Sequence, residues 1–206
     1  MHPILKLIAQ GEGETLDFKK IVPSALKIAK TMVSFANTKG GTLLIGVNDN
    51  GSISGVRTEE ERYVLETAIS IYCKPEIEMR LIDWEINGKE VIEARIAEGT
   101  NKPYYAKDEN EKWWAYVRVR DESILASKVV LDVMRKNIAK ENTLIEYGSK
   151  EQALFQYLNV NQRITLHQYC KLLNISKWRA RKILVNLISA GIIRIHDIEK
   201  EEFYTL

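Results

Sequence analysis

The sequence predicts two domains of different class. The first is a mixed α/β (α+β) N-terminal domain with a mixed sheet and hairpins. The second is a small C-terminal winged-helix domain. Three observations carry this expectation. Strand-like and helix-like segments alternate up to about residue 138. Turn signals punctuate the strands, above all Asn87-Gly88 and the run Asn48-Asp49-Asn50-Gly51. Beyond residue 149 the pattern becomes three short helical segments and two short strands, the order of a winged helix-turn-helix. The expected boundaries are 1–140, a linker at 141–149, and 150–206.

Each element has its own reason. Ile4 to Ala9 reads as a short helix or arm, and "TLDFK" as a short strand. In "PSALKIAKTMVSFANTK", Leu26, Ala29, Val33 and Ala36 share one helical face, with Pro23 near the start. Gly40 and Gly41 permit a tight passage from that helix to a strand, and Asn37 reads as its cap in preference to a polar group facing a ligand. Thr42 to Val47 is apolar on both faces, which predicts a central strand. It is expected to turn back through Asn48–Gly51 into a strand at Ser52 to Val56. "TEEERYVLETAISIYC" predicts a helix that opens on a capping box and ends at Pro75. "EIEMRLIDWEINGKEVIEARIAEG" predicts a hairpin, and "KPYYAKDENEKWWAYVRVRD" a further pair of strands around a polar loop. Ser123 to Ile138 reads as a helix running into a polar linker.

The chain has 206 residues, 45% hydrophobic and 28% charged, as in a globular protein. No apolar run reaches the roughly 20 residues of a membrane-spanning helix. The start shows no cleavage-site pattern, so no signal peptide and no membrane partner are expected. Cys73 and Cys170 are far apart in helical contexts, which suits a reducing, cytoplasmic setting. There is no CxxC or HExxH, and only three histidines, so zinc is not expected. The net charge of +2 is unevenly spread: from Lys150 onward nine Lys/Arg face five Asp/Glu.

Most of that excess sits in "SKWRARKILVNLISAG". Ser176 is placed to cap this helix and Gly191 to stop it, while Ile183, Leu184, Leu187 and Ile188 supply an apolar face. Lys177, Trp178, Arg179, Arg181 and Lys182 crowd its first two turns. The helix dipole favours acids there. Cations suit an anionic partner instead, and a recognition helix presents this half to the major groove. Trp178 would stack on a sugar or base, or pack against the wing. Arg194 in the first wing strand is placed to reach a phosphate.

Several pieces then coincide in order: "GEGETLDFKK", "SFANTKGGTLLIGVNDNGSISGV", "KPYY" and "YVRVRDES". Together they resemble the Schlafen/AlbA_2 domain family over about residues 5 to 138. The resemblance implies an AlbA_2-like fold followed by a winged helix, of the transcriptional-regulator type. It also implies, by analogy with animal Schlafen proteins, three carboxylates that cut RNA with a divalent metal, Mg or Mn. Glu12 and Asp17 match the first two positions. The third falls on Asn48 or Asp49, and an amide binds a hard cation less well. ATP is not expected, because "NTKGGTLLIGV" lacks the Lys-Ser/Thr of a phosphate loop and its glycines flank a strand.

The residues of "GEGETLDFKK" leave three readings open. They are a metal site of Glu12, Asp17 and Asp49, a nucleic-acid or partner surface without chemistry, or solvated structure. Period two puts Asp17 and Lys19 on one strand face, so a plain ion pair explains both. "KPYYAKDENEKWWAYVRVR" interleaves cations with aromatics as single-strand nucleic-acid surfaces do, and Arg118 is the strongest candidate within it. The reading that follows is a DNA-binding regulator with DNA as its partner; the resemblance to animal Schlafen proteins, which join two such lobes, implies a homodimer. Lys19 and Arg118 add to the contacts of the third C-terminal helix, and Ser123–Ile138 helps form the dimer. The alternatives are a metal-dependent ribonuclease acting on RNA and a protein-interaction module.

Overall fold

The computed structural model describes residues 2–56, 58–138, 148–198 and 201–206. In chain order its elements begin with α1 (Pro3–Ile8), β1 (Leu16–Lys19), α2 (Ala25–Asn37), β2 (Gly41–Ile45), α3 (Thr58–Tyr72) and β3 (Cys73–Lys74). There follow β4 (Met79–Ile86), β5 (Lys89–Ile96), β6 (Tyr105–Lys107), β7 (Trp113–Trp114), β8 (Tyr116–Val119) and β9 (Glu122–Leu125). The last are α4 (Lys128–Ile138), α5 (Ser149–Asn161), α6 (Leu166–Leu173), α7 (Lys177–Ser189), β10 (Arg194–Ile198) and β11 (Glu201–Thr205). The chain divides into two compact units, Met1–Ala126 and Ser127–Leu206.

The first unit is built on a four-stranded mixed sheet, order β1-β2-β5-β4. β1 pairs with β2 in parallel, and the other neighbours are antiparallel. β2 is central, as its two-sided apolar pattern requires. Leu43 and Ile45 face one side with Met32, Val33 and Phe35 of α2 and Leu65 of α3. Leu44 and Val47 face the other side with Phe18 and Ile4 of α1. Burying Met32 and Phe35 completely contributes about 1.5–3 kcal/mol each. Ser24 caps α2 by accepting a hydrogen bond from the Lys27 N–H at 3.4 Å. A Cβ on Gly41 would stand 2.5 Å from the Phe35 ring, so this close passage from helix to strand needs glycine. Asn87 (φ 53°) and Gly88 (φ 71°) make the two-residue turn between β4 and β5 that their sequence predicts.

Four expectations are corrected. The returning strand at Ser52–Val56 does not form, and one bridge, Val47 with Ile53, stands in its place. β2 gives its edges to β1 and β5 instead. The run "WWAYVRV" is not one strand: β7 pairs with β6, and after Ala115 β8 pairs with β9. Ser123–Leu125 is therefore strand, and the helix expected from Ser123 begins at Lys128. Asn37 is no simple cap. Its amide donates to the carbonyls of Tyr104 (2.9 Å) and Tyr116 (2.8 Å) and accepts from the Tyr104 N–H (2.7 Å). It binds α2 to the backbone of two later segments. The side chain of Thr58 and most of the expected linker lie outside the described residues.

The second unit gathers α4, α5, α6, α7 and the antiparallel hairpin β10–β11. Its core holds Leu154, Leu158, Ile164, Tyr169, Leu184, Leu187 and Tyr204, together with Val129 of α4. The sequence placed α4 with the first domain, but its packing lies with α7. Thr165 and Ser176 cap α6 and α7, Asn174 takes the left-handed conformation between them (φ 49°), and Gly191 (φ 72°) follows α7. Among the described residues no helix is long and apolar enough to cross a membrane.

Asn37→Ala strands one buried N–H and two carbonyls, each of which costs about 1–3 kcal/mol when unsatisfied. We expect the first unit to lose about 3 kcal/mol, read as a lower urea midpoint at unchanged slope.

Candidate nucleic-acid interface

Period two along β1 sends Leu16 and Phe18 into the α1-side cluster and turns Asp17 to the opposite face. Asp17 is 4% exposed there, and so is Arg118, which arrives from β8. The Arg118 guanidinium donates to Asp17 Oδ1 at 2.8 Å, to the Gly13 carbonyl at 3.1 Å and to Ser123 Oγ at 3.3 Å. It also lies 4.9 Å from the Phe35 ring centroid. The Lys19 ammonium stands 2.5 Å from Asp17 Oδ2. Its direction is not that of a hydrogen bond, so Oδ2 accepts none although a charge touches it. Lys19 donates to the Phe18 carbonyl instead.

The other acids of the opening motif are also engaged. Glu12 Oε1 accepts from the Phe18 N–H at 2.8 Å, which closes the loop onto its own strand. Glu14 pairs with Lys39 at the surface. Asp49 is exposed in the turn after β2. Next to it Asn48 binds Ser52, through its carbonyl and its hydroxyl.

The candidate ligands do not fit a divalent metal. Asp17 already holds a guanidinium and an ammonium, and one Glu12 oxygen holds a backbone N–H. Among the described residues no group of three or more His, Cys, Asp or Glu is arranged to hold an ion. Arg118, expected as a nucleic-acid contact, is buried in the fold. Lys19 is bound to Asp17 beside it.

The cation–aromatic run is split between core and surface. Tyr104 is buried, and Lys102 binds the Thr38 carbonyl and Glu98. Trp113 and Trp114 stay 39% and 40% exposed on the β6–β7 hairpin. Asp108 builds that turn: it accepts from the N–H groups of Asn110 and Lys112 and from the Trp114 indole, each at 2.8 Å. The Lys112 N–H above all, with the other two donors, holds the Asp108 carboxyl below its usual range against a smaller opposing effect of burial.

The second unit presents a different face. Lys177, Trp178, Arg179 and Lys182 on α7 are exposed, and so is Arg194 on β10. Trp178 is 63% exposed and lies 5.5 Å from the Lys182 ammonium. It does not pack into the core. None of Lys177, Arg179 and Lys182 pairs with a carboxylate among the described residues. Arg181 differs: it is half-buried and binds Asp132 of α4 at 3.0 Å. Sequence reasoning missed Asp132. Its one local signal was its place three residues before Arg135 on an amphipathic helix, and that pair is loose at 3.7 Å. It also missed Arg163, whose guanidinium lies 5.5 Å from the ring of Phe203, on which His196 stacks at 4.9 Å.

Asp17→Asn leaves the buried Arg118 without a carboxylate, which costs about 3–5 kcal/mol; Arg118→Met leaves Asp17 with Lys19 as its one cation and is expected to cost less. We expect the loss of thermal stability to be the same in Mn, in Mg and in a chelator, because an ion bound by the native state alone would raise the wild-type midpoint.

The sequence model of the family described as Schlafen, AlbA_2 matches residues 12–127, more than half of the chain. No curated protein matches the chain. The solved structure of the DIP2311 protein from Corynebacterium diphtheriae is similar at 20% identity and a TM-score of 0.43, over 60% of this chain and 27% of that one. The chain thus spans little more than a quarter of that protein. The N-terminal domain of a protein described as RecG-related, from Nitrosomonas europaea, is similar at 21% identity and a TM-score of 0.44, over 58% of this chain and 90% of that domain.

Proposed function

The chain belongs to the Schlafen AlbA_2 family, and we propose that it is a nucleic-acid-binding protein whose second unit holds duplex DNA, in the manner of a transcriptional regulator. The observation that carries this reading is the start of α7. Lys177, Arg179 and Lys182 stand exposed there around a 63% exposed Trp178. A helix N-terminus carries a partial positive charge of its own. Three further cations, without carboxylate partners among the described residues, are repulsive unless a polyanion is present. Duplex DNA supplies that charge, and counterion release supplies the free energy.

The order α5, α6, α7 and a two-stranded hairpin is that of a winged helix-turn-helix, with α7 as the recognition helix. The left-handed Asn174 that ends α6 and the cap at Ser176 that opens α7 define the turn between the two helices. Arg181 contributes less to this face than its neighbours because Asp132 already neutralises it. Arg194 adds a cation from the hairpin. In the first unit Asp17 and Glu12 are engaged by the fold, which does not favour the metal-dependent ribonuclease.

The test is duplex-DNA binding measured over a range of salt. Changing Lys177, Arg179 and Lys182 to Ala together is expected to weaken binding strongly and to lower the salt slope by roughly 2–3, about 0.9 for each phosphate no longer neutralised. Arg181→Ala is expected to have a smaller effect than Arg179→Ala. Unchanged binding in the triple variant overturns the proposal.

A further inference from the structure

The four-stranded sheet ends on a long open edge. β1, at one side, has four residues, whereas β4, at the other, has eight. Among the described residues no backbone group pairs with the outer edge of β4. Such an edge is a template for another strand unless something guards it. We propose that β4 pairs antiparallel with β4 of a second copy, about a two-fold axis through Ile82, and so joins two sheets into one.

The register follows from the strand. The two-residue turn closes on Ile86 and Lys89 as a hydrogen-bonded pair. Arg80, Ile82, Trp84 and Ile86 therefore spend their backbone groups on β5. The Ala97 N–H to Glu78 carbonyl bond keeps the same parity. Met79, Leu81, Asp83 and Glu85 direct theirs outward.

A two-fold axis normal to the sheet keeps each face on its own side, so opposed residues must both be odd or both even. Two registers then come near to full overlap. With Asp83 opposite its own copy, two like charges meet at the axis and Met79 runs past the strand onto the turn. With Ile82 opposite its own copy, Met79 meets Glu85 and Leu81 meets Asp83. All four outward residues are used, which gives about eight backbone hydrogen bonds, two for each such pair.

The side chains fit the second register. Ile82 is half-buried and belongs to neither apolar cluster of this unit. Its copy supplies the missing apolar partner. Arg80, exposed in the single chain, comes to lie opposite Trp84 of the second copy on the same face, where a cation meets an indole ring. Asp83 on the other face keeps its ion pair with Arg62 of α3. The interface repeats each contact twice, as a two-fold homodimer requires. It does not depend on the DNA reading, and it would place two α7 helices in one assembly.

The test uses the full chain in sedimentation equilibrium. The wild-type protein is expected at about twice the 23.7 kDa chain mass. Ile82→Lys and Ile82→Glu are each expected to weaken association at least about tenfold, because like charges meet at the axis. An equimolar mixture of the two is expected to restore it. Ile82→Cys is expected to form a covalent dimer on mild oxidation, since opposed residues of a pair without hydrogen bonds lie about 4.5 Å apart. Asp83→Cys and the wild type are expected not to. A monomeric wild type at every concentration overturns the proposal. So does a folded Ile82→Lys that still dimerises, or cross-linking at Asp83→Cys in preference to Ile82→Cys. If the charged variants fail to fold, the two cysteine variants decide alone.

Discussion

The structure of the first unit depends on one buried ion pair. Asp17 and Arg118 come from strands 101 positions apart, and both are almost wholly removed from water. Burying either charge alone costs several kcal/mol; Arg118 has Asp17 as its carboxylate, and Asp17 has Lys19 as a second, more exposed cation. The guanidinium does more than neutralise the acid. Its remaining donors hold Gly13 of the opening loop and Ser123 of β9, and its plane meets Phe35 of α2. One side chain thus fixes the loop, the first strand, the second helix and the β8–β9 hairpin. Asn37, near the end of α2, does the same for the backbone with an uncharged amide.

This constraint decides what the acids of the opening motif do. A carboxylate that accepts from a buried guanidinium and touches an ammonium is already satisfied electrostatically. Glu12 completes the loop by accepting the Phe18 N–H. In the second unit the balance is reversed. The cations at the start of α7 are exposed and carry no carboxylate partners among the described residues, while Arg181 behind them is held by α4.

Much of this was legible in the sequence, for local reasons. Asn87-Gly88 specified a two-residue turn because both residues tolerate a positive φ. Thr42–Val47 announced a central strand because it is apolar on both faces. Ser176 and Gly191 marked the ends of α7. What was not legible depended on partners distant in sequence. Alternation in "WWAYVRV" shows strand but cannot show that the partner changes at Ala115. Ser123–Leu125 reads as helix because its pairing with Tyr116–Val117–Arg118 is invisible locally, and a short apolar run suits either state. The Asp17–Lys19 contact was readable from period two. The stronger tie to Arg118 was not, because nothing local links β1 to β8.

The most direct test of this account is a double-mutant cycle on Asp17→Asn and Arg118→Met, with the unfolding free energy of the first unit measured for all four proteins. The account predicts a coupling of about 2 kcal/mol, near the upper end for residues in direct contact. The double variant should then be less damaged than the two single losses added together, by about 2 kcal/mol. Additive losses, with coupling near zero, would contradict it: the two charges would not depend on each other, and the acid of the opening motif would be free for another use.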